Sequence, residues 1–306
     1  MRMTIQEKIA ALKAEKQALI LAHYYVDGAV QAVADYVGDS YYLSQMAAQS
    51  GAKYLVFCGV AFMGESAKLL NPQATVLMPQ PKADCPMAHM ATPRQVQQLR
   101  QQYPDLAVVC YINSTAALKE CADVCVTSAN AVEIVRKLPQ RTICFIPDQN
   151  LGRYVAAQLP EKEFVFVDGC CPVHQAITPQ AVEQLRREHP QAMVLAHPEC
   201  TPQVLELAHY TGSTTGILKA AREAEAQEYI ICTEAGVLWQ LEQENPGKRF
   251  YFPQSLPLCP DMKSIRLEDV LAVLEQPQAQ HQVELPQSIG PGAKESLERM
   301  LELAGK

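Results

Sequence analysis

The chain has 306 residues, 48% of them apolar, which is ample material for a buried core. A formal net charge of −7 and the lack of a long basic run argue against nucleic acid or an anionic membrane as the main partner, leaving a small molecule as the expected one. No segment reaches the roughly 18 uncharged apolar residues of a membrane span. The expected location is the cytoplasm, where the eleven cysteines read as buried thiols or metal ligands rather than disulfides.

In chain order, "MRMTIQEKIAALKAEKQ" reads as a charged amphipathic helix without the features of a signal peptide. "LILAHYY" (19–25) reads as a buried strand with a polar end, "GDSYYLS" as a helix start carrying Ser40, "KYLVFCG" (53–59) and "TVLMP" as further strands, and Cys85-Pro86 as the loop that follows. The pattern recurs as "AVVCYIN" (107–113), "VTSANAV" with Ser128, "RTICFIP" (141–147), "FVFVD" and Cys171-Pro172. It recurs again as "MVLAHPE" (193–199), "GSTTGIL" with Thr214, "EYIICTE" (228–234), "RFYFP" and Cys259-Pro260. The strand ends His23, Tyr111 and His197 are spaced by 88 and 86 residues, and the three cysteines by 86 and 88. Ser40, Ser128 and Thr214 each lie 17 residues beyond their strand end, at expected helix N-caps.

Three tandem strand–helix units predict an α/β fold of three similar αβα domains with parallel sheets around a pseudo-threefold axis. The expected divisions are 1–86, 87–172 and 173–260, with 261–306 as a C-terminal helical segment packed on the core. "LPQSIGPGAK" within that segment reads either as a lid or as a connection. Because ligands of open α/β sheets bind beyond the carboxyl ends of the strands, the strand ends and Cys-Pro loops are expected to meet at one central cavity.

Three converging thiolates suit a metal. A structural zinc site wants four ligands, often in C-x-x-C pairs, which are missing here. A [4Fe–4S] cluster held by three cysteines keeps one iron open, and an open iron can act as a Lewis acid in the loss of water. Cys58, Cys110, Cys144 and Cys232 lie in apolar strands and read as core; Cys121 and Cys125 in "CADVC" read either as a pair on a helix face, for redox or metal, or as the approach to a strand at Val124-Cys125-Val126, and Cys200 could line the cavity without a ligand role. Of the adjacent pair in "DGCCPVH", the repeat register selects Cys171, with Cys170 turned to packing. The strand ends add His23, Tyr25, Tyr111, Asn113, His197 and Glu199, and His174 follows Cys171 by three residues, so proton donors and acceptors are grouped with hydroxyls suited to an anionic substrate.

The segments "LAHYY", "VFCGVAFMGESAKLL", "CPMA", "CYINSTA", "VTSANA", "CCPVH", "HPEC", "TGSTTGI" and "LPLCPDMK", from about residue 20 to 263, resemble the successive signatures of quinolinate synthase. The resemblance implies condensation of iminoaspartate (iminosuccinate) with dihydroxyacetone phosphate to give quinolinate, phosphate and two waters, in NAD biosynthesis. It implies an imine supplied by L-aspartate oxidase or aspartate dehydrogenase, and a [4Fe–4S] cluster held by Cys85, Cys171 and Cys259. It further implies that His23, Ser40, Tyr111, Asn113, Ser128, His197, Glu199 and Thr214 bind substrate, with Ser213 beside Thr214. Tyr25 and His174 lie near the reacting atoms, and Glu199 is the main acid–base group. Some relatives carry the third ligand within C-x-x-C-x-x-C, where a regulatory disulfide can form; Cys259 stands alone, which removes the basis for that switch. The competing expectations are another iron–sulfur hydro-lyase acting on a hydroxy-dicarboxylate, and a non-catalytic iron–sulfur redox sensor.

Overall fold

The computed structural model describes residues 3–253 and 256–305. Met1 and Arg2 of the expected N-terminal helix and Lys306 of the expected C-terminal segment fall outside them. The helix itself runs Ile5–Lys16 and starts at a reciprocal cap: Thr4 accepts from the Glu7 N–H at 3.2 Å, and Glu7 accepts from the Thr4 N–H at 2.7 Å. Gln17, at φ 52°, turns the chain into the first strand.

Twelve strands are formed among the described residues: β1 Ala18–His23, β2 Tyr36–Gly38, β3 Tyr54–Cys58, β4 Thr75–Leu77, β5 Leu106–Tyr111, β6 Val124–Val126, β7 Thr142–Ile146, β8 Glu163–Phe166, β9 Met193–Ala196, β10 Tyr210–Thr211, β11 Glu228–Cys232 and β12 Arg249–Tyr251. They make three four-stranded, wholly parallel sheets in the orders β2-β1-β3-β4, β6-β5-β7-β8 and β10-β9-β11-β12. One order repeated three times is the architecture of three similar αβα units. Parallel sheets carry helices on both faces, so their central strands are apolar throughout, and every residue of β5 is buried.

The short second strand of each unit carries no sequence signal of its own, since two or three residues show no period. It is placed by a polar residue just before it. Asp35, Asp123 and His209, spaced by 88 and 86 residues, accept the N–H groups of Ile20, Val108 and Val194 at 2.8, 2.6 and 2.9 Å. Their own N–H groups return to the carbonyls of those same three residues, at 2.9, 2.9 and 2.8 Å. A two-way clasp therefore fixes where each second strand joins the first.

The first two units share one continuous apolar core with the C-terminal segment, whereas the third packs around two smaller clusters of its own. Helix Leu267–Glu275 lies against helix Ile5–Lys16, and helix Gly292–Ala304 covers β6 and the helices beside it. "LPQSIGPGAK" is the connection between them: the Ala293 N–H donates to Glu120 at 2.8 Å, and none of its residues lines the central cavity. Cys58, Cys110, Cys125, Cys144 and Cys232 are fully buried in strands. No helix among the described residues is long and apolar enough to cross a membrane.

The clasp makes a stability test. In Asp123→Ala the buried Val108 N–H loses its side-chain acceptor, which costs about 1–3 kcal/mol, read as a lower urea midpoint. Asp123→Asn keeps an acceptor oxygen and should recover most of that loss.

Candidate active site

The three Cys-Pro loops are built alike. Cys85, Cys171 and Cys259 each occupy the N-cap of a short helical turn (Pro86–His89, Pro172–Gln175, Pro260–Lys263), with proline in the first position, where a missing N–H costs nothing. Each loop is pinned to the end of its unit's third strand by one backbone bond: Ala61 N–H to Ala83, Gln149 N–H to Gly169, and Ala235 N–H to Pro257, at 2.9, 2.8 and 2.8 Å. Gly169 is required there, since a Cβ would lie 2.4 Å from the Pro147 carbonyl oxygen.

A cavity of about 670 Å³, counting the space at its mouth, opens at the carboxyl ends of all three sheets. Its lining brings together Cys85, Cys171 and Cys259 with His23, Tyr25, Ser40, Tyr111, Asn113, Ser128, His174, His197, Glu199 and Thr214. Ser213 is not in the lining: its hydroxyl caps helix Thr214–Glu223 by accepting the Gly216 N–H at 3.2 Å. The expected cap register shifts with it. Asp39 and Ser213 are the N-caps, and Ser40 and Thr214 take the first helical position; Ser128 lies in a turn before the cap residue Asn130. The capping side chains reach back to the helix, which leaves the next hydroxyl free to face the cavity. Cys200 packs into the third unit, donating to the Cys232 carbonyl at 3.3 Å, and Cys170 is partly exposed and outside the cavity, its N–H against the Met90 sulfur at 3.4 Å.

His23 and His197 are held in the same way. The ring Nδ1 of each accepts the N–H of the residue two further on, Tyr25 at 3.2 Å and Glu199 at 3.3 Å. The proton therefore sits on Nε2, which in His197 meets the Ser128 hydroxyl at 3.1 Å. Burial holds both imidazoles neutral, each pushed down to about 3. These rings are neutral hydrogen-bond donors.

Glu199 is 3% exposed and its Oε2 lies 2.6 Å from His174 Nδ1. Burial opposes its ionisation, but His174, 2.6 Å away, and the Tyr111 hydroxyl outweigh burial and hold its carboxyl down at about 2. His174 Nε2 meets the Thr233 hydroxyl at 2.9 Å, Thr233 meets the Tyr25 hydroxyl at 2.8 Å, and Tyr25 meets Thr214 at 2.9 Å. An unbroken line of proton-bearing groups thus runs from Glu199 to Tyr25. Thr233 is fully buried and was not expected from sequence; its signal would have been its place directly after the third strand of its unit, at the carboxyl end where ligands of parallel sheets bind. Asn113 Oδ1 is buried in the lining without a hydrogen-bond partner.

The thiols fit a cationic group. Burial pushes Cys85 up to about 12, Cys171 well above the ordinary thiol range and Cys259 upward, so alone they remain protonated. Backbone N–H groups of the turns point at their sulfurs, those of Ala88 and Met87 at Cys85, of His174 at Cys171 and of Met262 and Asp261 at Cys259, ready to stabilise thiolate. Three such groups facing one cavity become thiolates when a metal centre binds. Cys171, His174 and Glu199 also place one ligand atom each within 4.8 Å of one another, but His174 and Glu199 are already bonded together.

Acid stability tests the neutral histidines. Folded values near 3 lie below the ordinary 6.5, so the unfolded chain binds more protons between those limits; the stability is full above pH 6.5 and drains as pH falls toward 3. Glu199, held at about 2 against an ordinary 4.5, adds its own loss only below 4.5. Between pH 6.5 and 4.5 each histidine should therefore contribute a fall in unfolding free energy of about 1.4 kcal/mol per pH unit, while Asp148 and Glu234, whose carboxyls burial raises, act in the opposite sense. The reading is thus the difference between urea titrations of wild type and His197→Gln: equal pH dependence in the two would contradict the assignment.

A family model described as Quinolinate synthetase A protein matches residues 7–302. The quinolinate synthase of Caldicellulosiruptor bescii is 46% identical over 299 residues, covering 98% of each chain. That of Aquifex aeolicus is 47% identical over 305 residues, covering 98% of this chain and 94% of its own, and that of Fusobacterium nucleatum is 45% identical, covering 98% and 100%. With the threefold sheet architecture and the shared cavity, these matches over nearly the whole length mean that the chain belongs to the quinolinate synthase family of enzymes.

Proposed function

We propose that this enzyme condenses iminoaspartate with dihydroxyacetone phosphate to quinolinate, phosphate and two waters in the central cavity. The observation that carries the reading is the meeting, in one cavity, of three metal-suited cysteines, two neutral histidine donors and the Glu199–His174–Thr233–Tyr25 line. A [4Fe–4S] cluster bound by Cys85, Cys171 and Cys259 would supply a Lewis-acidic iron with an open position for the loss of water.

The chain's own residues would do the rest. His23 and His197 donate from Nε2 to substrate carboxylate or phosphate oxygens without adding charge, so binding does not depend on protonating a buried ring. Ser40 and Thr214, at the first position of ten-residue helices, offer hydroxyls beside unpaired backbone N–H groups, the arrangement that receives anions. Asn113 Oδ1, Tyr111 and Ser128 complete the polar wall, and Asn113 Oδ1 would accept from the imine or a triose hydroxyl. Joining the imine to the triose and aromatising the ring requires protons to be taken from carbon and given to departing oxygens. Glu199, with His174, is placed to take them. Thr233 passes the change to the Tyr25 hydroxyl, which burial, reinforced by Glu199, keeps protonated as a donor.

An anaerobic assay of reconstituted enzyme with both substrates, following the pyridine product and inorganic phosphate, tests the reading. Phosphate should appear only when the triose phosphate is supplied; phosphate-independent dehydration of a hydroxy-dicarboxylate would point to a hydro-lyase instead. Cys171→Ser should abolish both the cluster absorbance and turnover, while Cys170→Ser should keep both. Thr233→Val should lower kcat on the order of 100-fold with KM little changed, as expected for an interrupted proton path.

A further inference from the structure

The backbone N–H of each of the three cavity cysteines ends on a carboxylate. Cys85 N–H donates to Asp84 at 2.7 Å, Cys171 N–H to Asp148 at 3.1 Å and Cys259 N–H to Glu234 at 3.0 Å. Asp148 and Glu234 stand in the same repeat position, two residues beyond β7 and β11, and are 0% and 1% exposed. The first unit has Val60 in that position and cannot supply an acid from it. Asp84 serves instead from within the loop, held in turn by its own N–H bond to Asp261 at 3.0 Å. A feature kept in all three units, although one unit must reach it by a different residue, is more than an accident of the repeat.

The second oxygens of the two buried acids are also committed. Asp148 Oδ1 accepts the Leu151 N–H at 2.9 Å, and Glu234 Oε2 accepts the Gly236 N–H. Both oxygens of each acid are thus acceptors, a pattern that an amide, with a single oxygen, cannot reproduce.

Resting on the reading that these cysteines hold a [4Fe–4S] cluster, we propose that Asp84, Asp148 and Glu234 are positioning residues that withhold the cysteine N–H groups from the cluster. Hydrogen bonds to cluster sulfurs, together with nearby charge, set the reduction potential of iron–sulfur centres. Donors turned toward the sulfurs favour the reduced state. The N–H groups of the following turns do point at the sulfurs, but the cysteines' own donors are turned away to carboxylate oxygens, which moves the balance toward the oxidised state, and an oxidised iron is the stronger Lewis acid. The device holds the centre to dehydration and away from electron transfer.

The test is a redox titration of anaerobically reconstituted full-length protein, followed by the spectrum of the reduced cluster, with iron content measured alongside. Asp148→Asn and Glu234→Gln keep shape but remove one acceptor oxygen, and each should shift the midpoint to more positive potential with iron content unchanged. At half-exposed Asp84, Asp84→Asn removes the charge but keeps the oxygen that accepts the Cys85 N–H, whereas Asp84→Ala removes both, so the midpoint should move further in Asp84→Ala than in Asp84→Asn. A reconstituted cluster whose midpoint is the same in Asp84→Ala as in Asp84→Asn, and unmoved in whichever buried variants fold, would overturn the inference while leaving the cluster reading intact. Wild-type protein that takes up no iron on reconstitution would sink both.

Discussion

The cavity depends on three backbone hydrogen bonds, from Ala61, Gln149 and Ala235 to the residues two before each cavity cysteine. They tie the loop after each fourth strand to the end of the third strand, so the position of a thiol is set by the sheet and not by the loop's own preferences. A rigid parallel sheet, covered on both faces, is a stiff support. Sites built on such supports hold their geometry better than sites carried by free loops.

The histidine and tyrosine donors within this frame are largely neutral. Two of the three cavity histidines, His23 and His197, are kept neutral by burial, and Tyr25 and Tyr111 keep their protons. Glu199 is ionised against the cost of burial because His174 stands 2.6 Å away. The lining also carries the carboxyl groups of Asp39, Asp84 and Glu234, so the neutral donors His23, His197, Tyr25 and Tyr111 are the groups suited to meet an anionic substrate.

Much of this was legible from sequence because the repeat is parallel: strand ends, hydroxyls and cysteines recur at nearly constant spacing, and parallel sheets bring equivalent positions to the same end. The signals that failed were local or crossed between units. Ser40 and Thr214 were misplaced by one residue as caps, since Asp39 and Ser213 have equal capping chemistry and only the structure shows which side chain turns back. β2, β6 and β10 are too short for a period and are fixed by Asp35, Asp123 and His209, of which the third differs in type from the other two. Thr233 owes its importance to His174 and Tyr25, which lie 59 and 208 residues away in sequence. Asp148 and Glu234 share a register that the first unit breaks with Val60, so comparing the units by residue type conceals what they share in function.

The division of the apolar core has a mechanical meaning. The first two units and the C-terminal segment share one continuous apolar core, whereas the third keeps its own clusters and meets the first through Tyr24, Tyr25 and Val37, with Trp239 against Gly28. Its remaining ties include polar bonds such as Thr215 to Asp39 at 2.7 Å and Asn150 to the Glu199 carbonyl at 3.1 Å. Water can replace polar bonds at small net cost, but it cannot replace buried apolar contact. The third unit's border therefore relies more on polar bonds than the seam between the first two units does, and that unit carries His197, Glu199 and Thr214 into the cavity wall. The acid–base residues of the site thus sit on the unit least continuous with the main apolar core.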